Sequence, residues 1–251
     1  MQLTVLGSGT CAATLQRSMA SYHLQSANHS MLIDIGAGSL RRLLEAGKSY
    51  WDVGAIFISH MHIDHIGDFA PFLWATRFSP EFERTMPLKV FGPPGLSAWY
   101  SRLAAAHGDW MHSLPFDCEL AEVHDTTFNY HDLEIFTLPM QHSVGANGYR
   151  FSESNRTLAY SGDTGMCENI VELARNVDVL LIECSFPDGD EEIDTHLTPA
   201  GVGKIAAAAN AHKVVLTHMY PICENVDLVG ACRQQYGGKI ELAEDLQRLR
   251  I

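Results

Sequence analysis

Within six consecutive residues, His60-Met61-His62-Ile63-Asp64-His65, the chain sets three imidazoles and one carboxylate. These are side chains that bind borderline divalent metals. No Lys or Arg stands among them to compete with a cation. His60 and His62 are two apart, so at the end of an extended segment they point the same way and both reach one ion. Asp64 and His65 lie where the chain should turn into a helix, facing either a second ion or the open side of the first. The cluster follows the apolar run Val53-Gly54-Ala55-Ile56-Phe57-Ile58. That run reads as a buried strand, and strand exits are where active-site loops sit.

The H-x-H-x-D-H pattern resembles the signature of the metallo-β-lactamase superfamily. The resemblance implies an α/β fold: a four-layer αβ/βα sandwich of two mixed β-sheets flanked by helices. It also implies that further metal ligands come from later strand ends, and candidates stand there. Gln141-His142-Ser143 follows the strand-like Leu133–Leu138, Ser161-Gly162-Asp163-Thr164-Gly165 follows Thr157–Tyr160, and Thr217-His218-Met219-Tyr220 follows Lys213–Leu216. Singly these segments are weak signals, since a lone His after a strand is more often structural and Gly-Asp-Thr-Gly can be only a turn. In this order, over nearly the whole chain, they match the family.

By that resemblance His60, His62 and His142 hold one ion, Asp64, His65 and His218 hold the other, and Asp163 bridges them. Two ions roughly 3.5–4 Å apart clamp an attacking hydroxide and the substrate oxygens. Asp64 then orients the hydroxide. Zinc is the first choice for an imidazole-rich shell without thiolate, with manganese or iron as alternatives. The oxygen-reducing branch of the superfamily usually carries Glu at the position of His62, so His62 points to hydrolysis.

A closer resemblance is to the ribonuclease Z group and its short relatives. Leu6-Gly7-Ser8-Gly9-Thr10 is similar to that group's opening strand and loop, and His196-Leu197-Thr198 to its H-x-T motif. In that group the histidine assists at the scissile phosphate and the leaving oxygen, and a glutamate like Glu183 orients it. A carboxylate bonded to imidazole fixes the tautomer and raises the basicity, which suits proton donation to an alkoxide. The alternatives are a surface histidine before a helix and a structural carboxylate. True members insert a long basic arm between the third-ligand histidine and the bridging aspartate. Here 21 positions separate His142 from Asp163, too few for an arm. The expected activity is therefore binuclear, ribonuclease Z-like hydrolysis of a small or single-stranded phosphodiester, without extended tRNA binding. A lactone, carboxyl-ester or thioester hydrolase on the same site is the alternative. A non-catalytic metal-binding accessory protein is a third reading, against which all seven ligand positions are filled.

A length of 251 residues suits one domain, expected over residues 1–251. The net charge of −13 disfavours a broad nucleic-acid grip. No run of eighteen apolar residues predicts a membrane span. The opening Met1–Gly7 reads as a strand and not as a signal peptide, so the expected place is the cytoplasm. The six cysteines are scattered without a C-x-x-C pair and read as reduced core residues. Cys184, beside Glu183, falls under the same reading.

Strands are expected at Met1–Gly7, Ser30–Ile35, before the metal cluster, within Leu88–Gly95 (a strand ended by a sharp turn) and at Val179–Glu183, with a hairpin around Glu153-Ser154-Asn155-Arg156. Helices are expected at Ser39–Ala46, about Phe69–Phe78, Leu96–His107, Cys167–Asn176 and Pro199–Asn210, the last with Thr198 as N-cap and Pro199 at N1. Trp74, Phe78 and Trp110 fall in segments that either wall a pocket or pack. Tyr149 and Arg150 either approach substrate or pack. The family resemblance implies a homodimer through first-half helices, which the aromatic segment Phe69–Phe78 fits.

Overall fold

The computed structural model describes residues 1–12, 14–27, 29–189 and 194–251. Along the chain run β1 (Gln2–Gly7), β2 (Ser21–Ser26), β3 (His29–Ile35), β4 (Val53–Phe57), β5 (Leu88–Gly92) and β6 (Cys118–Glu122). Then come β7 (Thr126–Tyr130), β8 (Leu133–Pro139), β9 (Asn147–Glu153), β10 (Arg156–Tyr160), β11 (Val179–Glu183), β12 (Lys213–Thr217), β13 (Lys239–Leu242) and β14 (Arg248–Arg250). They form two seven-stranded sheets, ordered β14-β1-β2-β3-β4-β5-β6 and β13-β12-β11-β10-β9-β8-β7. In the first, β14 to β3 pair antiparallel and β3 to β6 parallel. In the second, β7 to β10 pair antiparallel and β10 to β13 parallel.

The helices of the first half are α1 (Ser39–Glu45), α2 (Ile63–Ile66), α3 (Phe69–Phe78) and α4 (Leu96–His107); those of the second are α5 (Glu168–Leu173), α6 (Pro199–Ala209) and α7 (Leu228–Arg233). Three apolar cores define four layers. Between the sheets lie Val5, Tyr22, Phe57, Phe151, Tyr160, Leu181 and Val215. Outside the first sheet, Leu32, Ile56 and Val90 pack with Leu43, Phe72 and Leu96 of its helices. Outside the second, Leu180, Ile182 and Val214 pack with Ile170, Val202 and Leu228. The period-2 alternation of a strand explains the split: Phe57 turns inward and Ile56 outward, Leu181 inward and Ile182 outward. Strands buried on both faces read as continuous apolar runs, as β4, β11 and β12 do. The expected αβ/βα sandwich is therefore the fold. Among the described residues no helix is long and apolar enough to cross a membrane.

Several expected elements are corrected. β2 lies where only a loop was expected, because His23, Gln25 and its flanking serines mask the inward pair Tyr22 and Leu24. β13 and β14 likewise form where the sequence carries no long strand-like pattern of its own. α5 is shorter than Cys167–Asn176: it ends at Leu173 with Ala174 as its C-cap, and Asn176 beyond it adopts a left-handed φ of 55° and donates its N–H to the Ala209 carbonyl. Pro199 opens α6 at its first turn, but Thr198 makes no side-chain cap; the Asp188 carboxylate accepts the Ala200 N–H instead. Asn210 closes the helix in left-handed backbone (φ 52°). Tyr149 is fully buried with its hydroxyl on the Ile58 carbonyl, so packing is its role. Trp74, Phe78 and Trp110 pack on one another, at 4.2–6.0 Å between ring centroids. Cys184, Cys223 and Cys232 are buried, Cys118 and Cys167 are half-buried and Cys11 is exposed.

Candidate metal centre

Most of the chemistry-bearing residues stand at or just past the end of a strand. The first cluster follows β4, His142 follows β8, Asp163 follows β10, Glu183 ends β11 and His218 follows β12. The two sheets thus bring sequence-distant loops to one edge. His60, His62, His142 and Asp163 offer ligand atoms within 4.8 Å of one another, as do Asp64, His65 and His218. His60 and His62 meet there, but not as alternate residues of a strand. β4 has already ended, and His62 is the extended residue that opens α2.

Asp163 stands between the groups. Its Oδ2 is 3.7 Å from His60 Nε2 and 3.7 Å from His142 Nε2. Its Oδ1 is 3.3 Å from His65 Nε2 and 3.4 Å from His218 Nε2. His218 Nε2 also lies 3.4 Å from Asp64 Oδ2. Close packing holds the aspartate in place. Gly162 has a φ of 58°, and a Cβ there would meet Ser59 Cβ at 2.9 Å and the Asn147 carbonyl oxygen at 3.0 Å. A Cβ on Gly165 would overlap the Asp194 carbonyl at 1.7 Å. The Gly-Asp-Thr-Gly turn is thus a close-approach segment as well as a turn.

The opposite ring nitrogens fix the tautomers. His65 Nδ1 lies 2.7 Å from Asp34 Oδ2 and His142 Nδ1 lies 3.1 Å from the Thr195 carbonyl oxygen. Neither acceptor carries a proton, so both rings donate from Nδ1. Ser59 gives its single hydroxyl proton to Asp34 Oδ2 at 2.7 Å, so at 3.0 Å it accepts from His60 Nδ1. His60 and His142 therefore aim Nε2 lone pairs at the centre, and His65 Nε2 faces it too, able to exchange its proton for a cation. His60 Nε2 and Asp163 Oδ1 are buried with no hydrogen-bond partner. His65 Nε2 and His218 Nε2 face each other at 3.2 Å, and His142 Nε2 faces His62 Nδ1 at 3.1 Å. Buried polar atoms are nearly always satisfied. Converging lone pairs with orphaned members call for a cation, and the His/Asp donor set fits a divalent metal.

The electrostatics agree. Burial and the neighbouring His65 hold the His60 pKa well below its ordinary value, keeping that ring neutral. Burial pushes against charge on Asp163, but His218 and His65 outweigh it and hold the carboxyl well below the usual range. Burial also opposes charge on His65, yet Asp163 and Asp34 raise its pKa well above the ordinary value. The cleft demands positive charge.

His196 joins this edge, grouped with Asp163 and His218. Its Nδ1 donates to Glu183 Oε1 at 2.9 Å. Burial works against its charge, but the hydrogen bond and charge of Glu183 prevail and raise its pKa. Glu183 is fully buried and accepts three more bonds, from Thr164 N–H, Leu197 N–H and the Ser185 hydroxyl. A cavity of 490 Å³ opens beside His196, lined also by Gln141, Met166, Asp194, Thr198 and Lys204.

The sequence reading missed Asp34. It is fully buried at the end of β3 in left-handed backbone (φ 54°). Besides His65 and the Ser59 hydroxyl it accepts the Ser59 N–H and the Tyr160 hydroxyl. The detectable signal was an acidic residue inside the apolar run Met31–Ile35. His218 has the same unusual backbone, φ 53°.

Comparisons with known proteins agree with this architecture. Residues 29–219 match the family model described as a β-lactamase superfamily domain. An uncharacterized protein of Mycobacterium tuberculosis (strain ATCC 25618 / H37Rv) is 32% identical over 257 residues, covering 96% of this chain and 88% of that one. A ribonuclease Z of Mycobacterium sp. (strain KMS) is 26% identical, covering 100% of this chain and 96% of its own. The crystal structure of the metallo-β-lactamase fold protein YhfI from Bacillus subtilis superposes with a TM-score of 0.85 at 21% identity, covering 99% of both chains.

Proposed function

The chain belongs to the β-lactamase superfamily, and on that footing we propose that it hydrolyses phosphodiesters with two divalent ions, zinc ahead of manganese or iron. The observation that carries the reading is the His196–Glu183 pair at the edge of the histidine cluster. His60, His62, His142 and one oxygen of Asp163 would hold one ion. Asp64, His65, His218 and the other oxygen would hold the second. Bound ions supply a water deprotonated near neutral pH and positive charge for the phosphoryl oxygens. Asp64, beside His218, orients the attacking water. His196, its Nδ1 proton held by Glu183, delivers a proton from Nε2 to the leaving oxygen. A lactone or thioester hydrolase has less need of such a donor.

Three features limit the substrate to a small or single-stranded diester. The chain between His142 and Asp163 is taken up by the β9–β10 hairpin, whose turn is only Ser154-Asn155. The net charge is −13. The cavity beside His196 suits a compact leaving group. We also assign the half-exposed Trp74 and Phe78 of α3 to contact between two copies of the chain, which sedimentation would report as a dimer.

The zinc-loaded protein is expected to cleave bis(p-nitrophenyl) phosphate. Failure to do so while opening lactones overturns the reading. His196→Ala is expected to lower diester turnover by about 10²–10⁴-fold with metal content intact. Loss of metal in equal measure would make His196 structural instead.

A further inference from the structure

We propose that Ser185 is a positioning residue through which the single carboxylate of Glu183 orients two histidines at once, His196 directly and His218 by way of the Ser185 hydroxyl. The proposal rests on the metal-dependent reading above and adds a residue to it. Glu183 ends β11, and Ser185 follows two positions later. In extended backbone such residues present their side chains to the same side. Ser185 is fully buried. Its Oγ lies 2.6 Å from Glu183 Oε2, 3.1 Å from His218 Nδ1 and 3.4 Å from His196 Nδ1. It also lies 3.1 Å from the His218 carbonyl oxygen.

A hydroxyl has one proton to give. The shortest, charge-assisted contact, to Glu183 Oε2, takes it. Ser185 Oγ then accepts from His218 Nδ1, which places that ring's proton away from the centre. His218 Nε2 is left as a lone pair facing Asp163 Oδ1 and Asp64 Oδ2. The backbone ties the same loops together. Ser185 N–H donates to the Leu197 carbonyl beside His196, and Tyr220 N–H donates to the Ser185 carbonyl beside His218. Partners of this kind hold a ligand's tautomer and ring angle, and their loss typically costs about 10–100-fold in metal affinity. With alanine at 185, His218 Nδ1 loses its hydroxyl acceptor, and the ring is free to carry its proton on Nε2, the atom needed as a ligand.

The test is a zinc titration of the metal-free full chain against a competing chelator, run beside diester turnover, with circular dichroism as a check of folding. Ser185→Ala is expected to weaken the more loosely held zinc about 10–100-fold, whereas His196→Ala leaves zinc affinity unchanged. Glu183→Gln is expected to weaken zinc as well, and the double variant S185A/E183Q to bind no worse than the weaker single one, because the serine acts through the glutamate. Should S185A not fold, S185C, with a thiol that is a poor donor, carries the same expectations. The proposal is overturned if the serine variant binds zinc within about twofold of wild type, or if the two losses multiply in the double variant. A wild type that binds zinc but spares the diester ends the proposed function and leaves the zinc titrations to decide on Ser185. A wild type that binds no zinc ends both.

Discussion

The two halves of the molecule carry the same device with one difference. In the first, buried Asp34 accepts from His65 directly and reaches His60 through the Ser59 hydroxyl. In the second, buried Glu183 accepts from His196 directly and reaches His218 through the Ser185 hydroxyl. Each carboxylate thus holds two imidazoles, one of them through a serine. In the first half both rings face the centre of the cluster. In the second only His218 stands with Asp64 and His65, while His196 is grouped with Asp163 and His218; in the proposed reaction His196 is the proton donor. On the proposed function, a symmetric scaffold yields asymmetric chemistry because one of its four histidines serves as proton donor and the other three as ligands.

The comparison can be broken most forcefully at Asp34. Asp34→Ala strips four donors of their acceptor, at about 1–3 kcal/mol for each left unpaired. The expected loss is on the order of 5 kcal/mol, comparable to the whole stability of many domains, read from urea unfolding together with metal content. An unchanged unfolding midpoint would show that the carboxylate is no keystone. Glu183→Gln keeps the shape and two of the four accepted bonds, so it should lower diester turnover about 10²-fold with a smaller effect on unfolding than Asp34→Ala. If it instead unfolds the chain as Asp34→Ala does, the halves are structurally equivalent and the chemical distinction fails.

Acid sharpens the contrast at a third point. No strand of the second sheet contains a histidine, whereas β2 of the first buries His23 beside Ser30. Burial, with a contribution from Lys48, lowers the His23 pKa from 6.5 to about 4. The unfolded chain therefore takes up the proton first. This group leaves stability untouched above about pH 6.5 and lowers it as the pH falls from there toward 4. The expected penalty is on the order of 2 kcal/mol, seen as a steeper acid dependence of unfolding in wild type than in His23→Leu. Equal slopes would remove His23 from the account. The smallest effect is expected of Tyr160→Phe, which deletes one of the four bonds to Asp34 and should cost about 1 kcal/mol by thermal or urea unfolding.

The first cluster was legible because its four donors are adjacent in sequence, so no fold was needed to see them together. His142, Asp163 and His218 were legible through family order and their place after strand-like runs. Asp34 and Ser185 were not, because their meaning lies in contacts across the fold: Asp34 is 31 positions from His65 and Ser185 is 33 from His218. A lone Asp in an apolar strand signals an unusual residue but not its partners, and a lone Ser after a strand carries no local pattern at all. The same limit hid β2, whose polar residues obscure a period set by a sheet that later residues complete. It also hid the Asp188 cap of α6, since Thr198 satisfied the local rule and a residue ten positions upstream took the bond.

β14 pairs with the outer edge of β1, with Gln2 opposite Arg250. Asp245 accepts the N–H groups of Ser8 and Ser18 and the Ser8 hydroxyl. During synthesis the opening strand must therefore wait for residues some 240 positions later. Until they emerge, β1 is an open edge whose unpaired backbone can recruit a neighbouring chain. Contacts so distant in sequence close late and slowly. Aggregation in the cell should then depend on how promptly β14 is delivered, and replacing its residues should harm yield more than its short length suggests.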